Sequence, residues 1–203
     1  MFRHTQKDGE DISTFYYIPN FLDNIEQNEL KRYLDKMDDF IPSFKYNNGI
    51  SRLQKWFHIE KKYFCPDWKV KYPQWTSFEM DNTIKSLIKK VQDYVNNISD
   101  IKIPLINSCL INKYPKGENF IAPHRDSELS FGKYPTIIGL SIGETRSIDF
   151  IHNYDKHNNF SFELESGSIF IMAGSSQECF KHTISKKITE NVRYSLTFRE
   201  CIA

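Results

Sequence analysis

Long apolar stretches are missing from this chain of 203 residues. No segment approaches the roughly 20 apolar residues that a helix needs to cross a bilayer. The first 11 residues are polar and mixed in charge, without the apolar core of a secretory signal peptide. We therefore expect neither a membrane-spanning helix nor secretion.

Cysteine is scarce, and its spacing is irregular. Cys65, Cys109, Cys179 and Cys201 are scattered along the chain without a C-x-x-C pair. Such spacing favours reduced thiols over a disulfide framework or a clustered zinc site. We therefore expect an intracellular protein, in the cytoplasm or nucleus.

Net charge is also small, because 27 basic residues face 26 acidic ones and the formal charge is +1. No global field therefore draws the chain to nucleic acid, and such a partner must be met by a local patch. An apolar content of 39% with 15% aromatic residues argues against disorder. The length suits one compact domain over residues 1–203. A monomer is expected, since no coiled coil or exposed apolar stripe is evident.

Two helices are predicted in the first half of the chain. Asp23, with Glu26 three residues later, has the pattern of a capping box before the stripe Leu30, Tyr33, Leu34 and Met37. The second stripe recurs at three and four residues, and its members are Ile84, Leu87, Ile88, Val91, Val95 and Ile98. Residues 1–13 are interpreted as a flexible leader before a short strand at residues 15–18.

From residue 101 onward, short strand patterns alternate with turn residues, and helical periodicity does not return. The candidate strands are 108–114, 120–126, 136–142, 147–152, 159–164, 168–172, 180–185 and 192–199. Eight strands suit a jelly roll. The predicted fold class is therefore α+β, mainly β: a double-stranded β-helix core with flanking amino-terminal helices.

The segment Pro123–His124–Arg125–Asp126 is the first candidate for chemistry. Proline biases the preceding residue toward extended backbone, and alternate residues of a strand share a face, so His124 and Asp126 point together. Nitrogen and oxygen donors suit iron(II), manganese or zinc. His182 is the best candidate for a third ligand, because two histidines and a carboxylate form a facial iron(II) triad with three open positions.

The run Arg193–Tyr194–Ser195–Leu196–Thr197–Phe198–Arg199 alternates polar and apolar residues with the period of a strand. Arg193 and Arg199 share its polar face, about 20 Å apart at roughly 3.3 Å per residue. Their long side chains could close onto a short dicarboxylate between them. A solvated polar face on a half-buried strand is the alternative.

Together, the HRD segment, His182 and the RYSLTFR run resemble the AlkB family of iron(II)- and 2-oxoglutarate-dependent dioxygenases. The family signature R-x-N-x-T-F-R is matched except at Ser195, where the family has asparagine. Asn112–Lys113–Tyr114 is similar to the family's N-x-Y, and the resemblance is close over residues 107–199, the expected catalytic core. Blocks at 141–146 and 164–172 also match.

The resemblance implies a role for each of these residues. His124, Asp126 and His182 would hold Fe(II). The cosubstrate 2-oxoglutarate would meet Arg193 and Tyr114 at its distal carboxylate and Arg199 and Asn112 at its metal-proximal end. Ser195 would be a further cosubstrate contact. The implied function is an oxidative demethylase of nucleobases in DNA or RNA, which uses O2 and releases succinate, carbon dioxide and formaldehyde. A paired base would have to be flipped out of the duplex.

Residues 40–75 are rich in both aromatic and basic side chains. Trp56, Trp68 and Trp75 lie here, and seven cations against two anions give a local charge of +5. Aromatic and cationic side chains together suit an extruded base and its phosphates, whereas an aromatic core under a loop with solvated lysines is the alternative. Residues 52–57 resemble the start of the family's nucleotide-recognition lid, expected over 40–76. The candidate substrate contacts are Arg52, Gln54, Trp56, Tyr63 and, if its strand continues past Asp126, Glu128.

Two other functions share these features. One is a 2-oxoglutarate-dependent hydroxylase of proteins or small molecules, since the same triad and fold serve several chemistries. The other is a nucleic-acid-binding module with a degenerate site, of which Ser195 would be the first sign.

Overall fold

The computed structural model describes residues 1–43, 45–46, 49–60, 62–63, 75–98 and 100–202, with the backbone alone at 45–46 and 49–50. Its α-helices are α1 Asn24–Asp35, α2 Asn82–Val95, α3 Glu128–Phe131 and α4 Ser176–Cys179. Its strands are β1 Phe2–Asp8, β2 Asp11–Ile18, β3 Ile41–Pro42, β4 Lys45–Tyr46, β5 Gly49–Ile50, β6 Leu53–His58, β7 Phe78–Glu79, β8 Ser108–Tyr114, β9 Ile121–His124, β10 Ile137–Gly143, β11 Arg146–His152, β12 Phe160–Leu164, β13 Ile169–Gly174, β14 Phe180–Ile184 and β15 Arg193–Arg199. Within the described residues, no helix has the length and hydropathy needed to span a membrane.

Two antiparallel sheets organise the carboxyl-terminal half. The larger has the order β1-β2-β13-β10-β15-β8-β6-β3, with β7 added in parallel beside β6. The smaller has the order β12-β11-β14-β9. Strands that are consecutive in sequence alternate between the two sheets from β8 to β15, apart from the hairpin pair β11 and β12. This is a jelly roll, and the predicted fold class is confirmed.

The larger sheet is apolar on the face that the helices cover. Tyr194, Leu196 and Phe198 of β15 lie in one buried cluster with Leu34 of α1 and Val91 of α2. The opposite face of β15 carries Arg193, Ser195, Thr197 and Arg199, which line a cavity between the sheets. The period-two alternation seen in the sequence therefore separates the helix-covered core from the site.

A second apolar cluster fills the space between the two sheets. Phe15 of β2, Phe150 of β11, Phe170 of β13 and Phe180 of β14 are all buried there. Their rings lie edge to face or tilted, apart from the stacked pair Phe15 and Phe170, and the centroid separations are 4.8 to 6.4 Å. These are the geometries that aromatic quadrupoles favour. The cluster adjoins the polar cavity, because some of its members, such as Phe170 and Met172, also line the cavity.

Both predicted helices form where expected, and each is capped by an aspartate. Asp23 and Glu26 make the reciprocal bonds of a capping box, at 2.9 and 3.1 Å. The side chain of Asp81 accepts a bond from the Ile84 amide at 2.9 Å. The helices end a few residues before the last members of their apolar stripes, although Met37 still packs against the core.

The interpretation of residues 1–13 as a flexible leader was wrong. They form β1 and the start of β2, joined by a two-residue turn in which Gly9 has a φ of +63°. A positive φ at the first turn position is what a type II′ hairpin requires. Asp8 lies 3.1 Å from Nε2 of the buried His152, and Ser175 Oγ donates to Asp11 at 3.0 Å. These contacts fix the hairpin to the jelly roll.

The eight strands predicted after residue 101 are all present, within one or two residues at most ends. This half also contains α3 and α4, which are single helical turns between strands. Four residues are too few to show a helical period in sequence. Both turns flank the functional site described next.

Candidate metal and cosubstrate site

Three side chains with metal-binding donors converge at one point between β9 and β14. These strands pair antiparallel, with His182 directly opposite His124, and the imidazole centroids are 4.2 Å apart. Asp126 follows two residues after β9, and its Oδ1 lies 3.8 Å from His124 Nε2. Donor atoms of all three residues lie within 4.8 Å of one another. The structure therefore brings the three predicted ligands together.

Electrostatics favour the protonation states that bind a cation. Burial, together with nearby His124, lowers the pKa of His182 to about 3. Burial also lowers the pKa of His124. Burial alone would raise the pKa of Asp126, but Arg199 and the two imidazoles hold it below its usual value. Near neutral pH the cluster is thus two neutral imidazoles and one carboxylate.

Neighbouring groups orient these donors. His124 Nδ1 lies 3.0 Å from the Ala122 carbonyl, and donation to that oxygen leaves Nε2 with a free lone pair. The Asp126 amide donates to Gln177 Oε1 at 2.9 Å, and Gln177 is held in turn by Met172 Sδ at 3.2 Å. Gln177 lies in α4 and is almost fully buried. No signal in the sequence marked it as part of the site.

Arg199 forms the direct ionic contact of the cluster. Its Nη2 lies 2.8 Å from Asp126 Oδ2, and its guanidinium stands over the ring of Phe131 at 4.6 Å. The family resemblance implied that Arg199 lies beside the metal-proximal end of the cosubstrate, together with Asn112. The contact with Asp126 places it directly at the three candidate metal ligands.

Arg193 is buried at the other end of the same strand face, with 1% of its surface exposed. Its Nη2 donates to Ser141 Oγ at 3.0 Å, and its guanidinium lies 5.2 Å from the centre of the Tyr114 ring. Nε and Nη1 find no hydrogen-bond acceptor among the described residues. A buried cation with unused donors is costly unless an anion meets it. This geometry fits a carboxylate ligand in the cavity.

Arg146 provides an internal comparison. It is equally buried and also lies near the Tyr114 ring, at 5.8 Å, but it does not line the cavity. Its Nη2 donates to the Asn119 carbonyl at 2.9 Å and to the Ser185 carbonyl. Backbone carbonyls therefore engage Arg146 Nη2, and only Nε of Arg146 lacks an acceptor among the described residues, whereas Arg193 has two such nitrogens and lines the cavity.

The side chain of Asn112 is held in a single orientation. Its Oδ1 accepts from Arg52 Nε and from Gln54 Nε2, each at 2.9 Å. A guanidinium can only donate, so the Asn112 atom that faces Arg52 must be the oxygen. The amide nitrogen of Asn112 is consequently free of the β6 strand and available to donate elsewhere in the cavity.

These groups line a cavity of about 580 Å³ that opens between the sheets. It contains the three candidate ligands and the five predicted cosubstrate contacts, together with Arg52 and Gln54. The lining also includes residues that the sequence analysis did not select, and these include Ser43, Ser51, Trp75, Leu110 and Arg125. A signal for Trp75 existed, because it belongs to the aromatic segment.

Three predicted substrate contacts lie elsewhere. Trp56 is 2% exposed and packs in a core cluster with Trp75 and Leu110. Tyr63 forms a β-bridge with Thr76 and does not line the cavity. The premise for Glu128 was wrong, because β9 ends at His124 and Glu128 begins α3 with an exposed side chain.

Much of the predicted lid falls outside the described residues. This applies to residues 64–74, which include Trp68, and to Lys61. The lid stays a prediction. The described part of it supplies β3, β6 and the cavity residues Ser43, Arg52 and Gln54.

Comparison with known proteins finds sequence matches to 2-oxoglutarate-dependent oxygenases. The sequence profile of the 2OG-Fe(II) oxygenase superfamily matches residues 14–199. Human alpha-ketoglutarate-dependent dioxygenase alkB homolog 3 is 29% identical over 113 residues, which cover 51% of this chain and 40% of that protein. Uncharacterized protein R406 of Acanthamoeba polyphaga mimivirus is 29% identical over 120 residues, 58% of each chain. The DNA oxidative demethylase ALKBH2 of Arabidopsis thaliana is 27% identical over 116 residues, covering 46% of this chain and 37% of that protein. The chain thus spans less than two thirds of these relatives.

Solved structures show the same fold. The structure of OsALKBH1 has a TM-score of 0.63 and 16% identity, and the match covers 92% of this chain and 97% of that one. An oxidoreductase of the 2OG-Fe(II) oxygenase family from Burkholderia pseudomallei has a TM-score of 0.66 and 13% identity, with coverages of 91% and 84%.

Proposed function

The chain belongs to the 2OG-Fe(II) oxygenase superfamily, and we propose that it is an oxidative demethylase of N-methylated nucleobases in DNA or RNA. It is an AlkB-like member, as the resemblance predicted. Fe(II) and 2-oxoglutarate are the family's cofactors, with O2 as the second cosubstrate. Demethylation is the proposal, supported by the alkB homologues among its relatives and by the cavity.

One observation carries the proposal. A candidate cation site and a buried arginine in need of an anion line the same cavity. His124, Asp126 and His182 present two nitrogens and one oxygen to a common point, the donor set of a facial iron(II) triad. In the same cavity, buried Arg193 has two nitrogens without an acceptor. A divalent cation would complete the first site, and a carboxylate would complete the second. Iron(II) with 2-oxoglutarate satisfies both requirements.

Each residue has a defined task in this scheme. His124, Asp126 and His182 would hold Fe(II), and Arg193 would neutralise the far carboxylate of 2-oxoglutarate. Asn112 would donate its amide hydrogens to the cosubstrate. When bound, Fe(II) and 2-oxoglutarate supply the oxidation of the N-methyl carbon by O2, with succinate and carbon dioxide as the products of the cosubstrate.

The protein's further contribution is orientation and exclusion of water. Oxidation of the methyl carbon gives an N-hydroxymethyl base, which releases formaldehyde without a nucleophile from the protein. The apolar lining by Leu110, Ile137 and Phe170 keeps the reacting carbon away from bulk solvent. A base must therefore leave its stack to enter the cavity. The buried, free thiols of Cys109, Cys179 and Cys201 accord with an intracellular place of action.

The test uses purified protein with Fe(II), 2-oxoglutarate and methylated oligonucleotides. We expect formaldehyde and succinate in equal amounts, and we expect His182→Ala to abolish both. His157→Ala is the matched control, because His157 is an exposed histidine outside the cavity and its loss should leave turnover unchanged.

The alternatives give different outcomes. Succinate formation that is never stimulated by any methylated oligonucleotide would favour an oxygenase of proteins or small molecules. Undiminished turnover by His182→Ala would refute the metal assignment. Nucleic-acid binding without Fe(II) uptake by the parent protein would favour a degenerate binding module.

A further inference from the structure

The charges around the cavity are strongly unbalanced. Four arginines line it, namely Arg52, Arg125, Arg193 and Arg199, and Asp126 is the only carboxylate among the described lining residues. The two charges of Fe(II) and the two of 2-oxoglutarate cancel. With both bound, the cavity therefore retains an excess of positive charge for which the cofactors do not compensate.

Arg52 is the cation that remains for the substrate. Arg193 lies at the buried end of the site and Arg199 is paired with Asp126. The guanidinium of Arg52 is oriented by its Nε bond to Asn112 at 2.9 Å, whereas Nη1 has a single long contact of 3.4 Å with Ser51 Oγ. The described residues supply no acceptor to Nη2. Arg52 thus presents fixed, largely unused donors to the cavity.

A carboxylate that could balance a cationic substrate is missing from the described lining. Asp126 is engaged by Arg199 and by the metal site. Glu128 projects from α3 into solvent and does not line the cavity. A base that carries a positive charge would therefore enter a positive field with no unpaired carboxylate beside it among the described lining residues. Like charges repel most strongly where water is excluded.

We propose that this enzyme acts on uncharged N-methylated bases that offer a hydrogen-bond acceptor to Arg52, and that it discriminates against methylated bases carrying a positive charge. The inference rests on the proposed demethylase function. A carbonyl oxygen or a neutral ring nitrogen can accept from the free Nη donors of Arg52. Arg125, exposed at the cavity mouth, is placed to meet a phosphate and contributes to affinity without reading the base.

Two pairs of probes isolate charge from shape. 3-Methyluracil is neutral and 3-methylcytosine is cationic at neutral pH, and the two rings have nearly the same outline. N6-methyladenine is neutral, and its isomer 1-methyladenine is cationic. Each base is placed centrally in the same single-stranded oligonucleotide. Dissociation constants are measured anaerobically with Fe(II) and 2-oxoglutarate bound, and formaldehyde release is measured in air.

We expect the parent protein to bind each neutral base at least about tenfold more tightly than its cationic counterpart, with turnover in the same order. Arg52→Gln should bring both ratios close to one, chiefly by weakening the neutral bases and strengthening the cationic ones. Arg52→Lys keeps the charge and should keep the discrimination. Arg125→Gln, the matched control, should weaken all four oligonucleotides by a similar factor and leave the ratios unchanged.

Two results would overturn the inference. The first is equal affinity of the parent protein for the cationic and the neutral base of either pair. The second is an Arg52→Gln variant that loses 2-oxoglutarate affinity while both ratios persist, because Arg52 would then serve only the cosubstrate through Asn112. Formaldehyde release from cationic bases alone would refute this inference and leave the demethylase proposal standing. Absence of formaldehyde from all four probes would refute the demethylase proposal itself.

Discussion

Arg193 offers the sharpest test of the cosubstrate site, because its replacement should change ligand binding and fold stability in opposite directions. We consider Arg193→Met, which keeps an unbranched side chain of similar reach and removes the charge. Nε and Nη1 lack acceptors within the described chain, so a bound carboxylate would gain two charged hydrogen bonds. At roughly 1.5–3 kcal/mol per charged hydrogen bond, their loss amounts to about 3–6 kcal/mol. We therefore expect 2-oxoglutarate to bind on the order of 10² to 10⁴ times more weakly.

Without ligand, the Arg193→Met variant should be more stable than the parent protein. A buried guanidinium that is only partly hydrogen-bonded carries a desolvation cost of several kcal/mol. Methionine removes that cost and forfeits one bond to Ser141, which contributes about 0.5–1.5 kcal/mol. The melting temperature without ligand should consequently rise. Saturating 2-oxoglutarate, which should stabilise the parent protein by mass action, should no longer shift it.

Arg146→Met is the matched control for this pair of measurements. Arg146 is as deeply buried and also lies near Tyr114, but it lies outside the cavity lining, and its Nη2 donates to the carbonyls of Asn119 and Ser185. Its removal leaves buried acceptors unpaired, so the melting temperature should fall while 2-oxoglutarate affinity stays near that of the parent. Calorimetric titration and thermal unfolding measure both quantities. If Arg193→Met instead lowers the melting temperature and binds 2-oxoglutarate normally, the carboxylate site lies elsewhere.

Two further outcomes follow from the site geometry. Gln54→Leu removes one of the two donors that fix the Asn112 amide. Because a neutral hydrogen bond contributes roughly 0.5–1.5 kcal/mol, 2-oxoglutarate should bind about 3- to 10-fold more weakly. An unchanged dissociation constant in calorimetric titration would contradict this positioning role. The folded pKa of His182, about 3, lies below its unfolded value of 6.5, so the unfolded chain binds one more proton between these pH values. The unfolding free energy of the metal-free protein should therefore fall as the pH drops through this window, by up to about 1.4 kcal/mol per unit. Urea denaturation at pH 7, 6 and 5 measures that slope, and His182→Gln should flatten it; equal slopes in both proteins would argue against a buried, neutral His182.

The final strand could be predicted from sequence because its two faces have opposite chemical requirements. Tyr194, Leu196 and Phe198 must be covered by helices, and Arg193 and Arg199 must meet charge. A strict period of two satisfies both conditions only in extended backbone. The strand and the direction of its arginines therefore follow from the pattern of residue types, before any tertiary contact is known.

The amino-terminal hairpin escaped prediction for the opposite reason. β1 is largely polar and partly exposed, so it shows no apolar period, and its position depends on a tertiary contact between Asp8 and His152. A local signal was present, since Gly9 occupies the first position of the turn, where a two-residue type II′ hairpin requires glycine. The turn was readable, but the surface against which the hairpin packs was not.

The site residues also fall into two groups: those whose role follows from residue type, and those whose role depends on a tertiary contact. Histidine and aspartate carry chemistry that restricts their roles, so the H-x-D spacing, the later histidine and the family resemblance together selected three candidate ligands, which lie within reach of one another. Gln177 can donate or accept almost anywhere, and only the approach of α4 to the Asp126 amide gives it a position. Trp56 fits a stacking platform or a core equally well by residue type, and its burial against Trp75 decides for the core. Prediction fails where a residue's partner is set by the fold.

Ser195 replaces an asparagine of the family signature, and the neighbouring Asn112 determines what this replacement means for cosubstrate binding. In the paired strands, Ser195 lies opposite Asn112 on β8 and opposite Ser141 on β10, so all three belong to one stretch of the cavity wall. The family's asparagine at this position would have added an amide, which serine does not provide. Asn112 remains, and the obligate donor Arg52 together with Gln54 fixes its oxygen and frees its nitrogen. One amide donor of set direction is thereby kept in the cavity that also holds the three candidate metal ligands, which is the physical reason for expecting the site to be active despite the substitution.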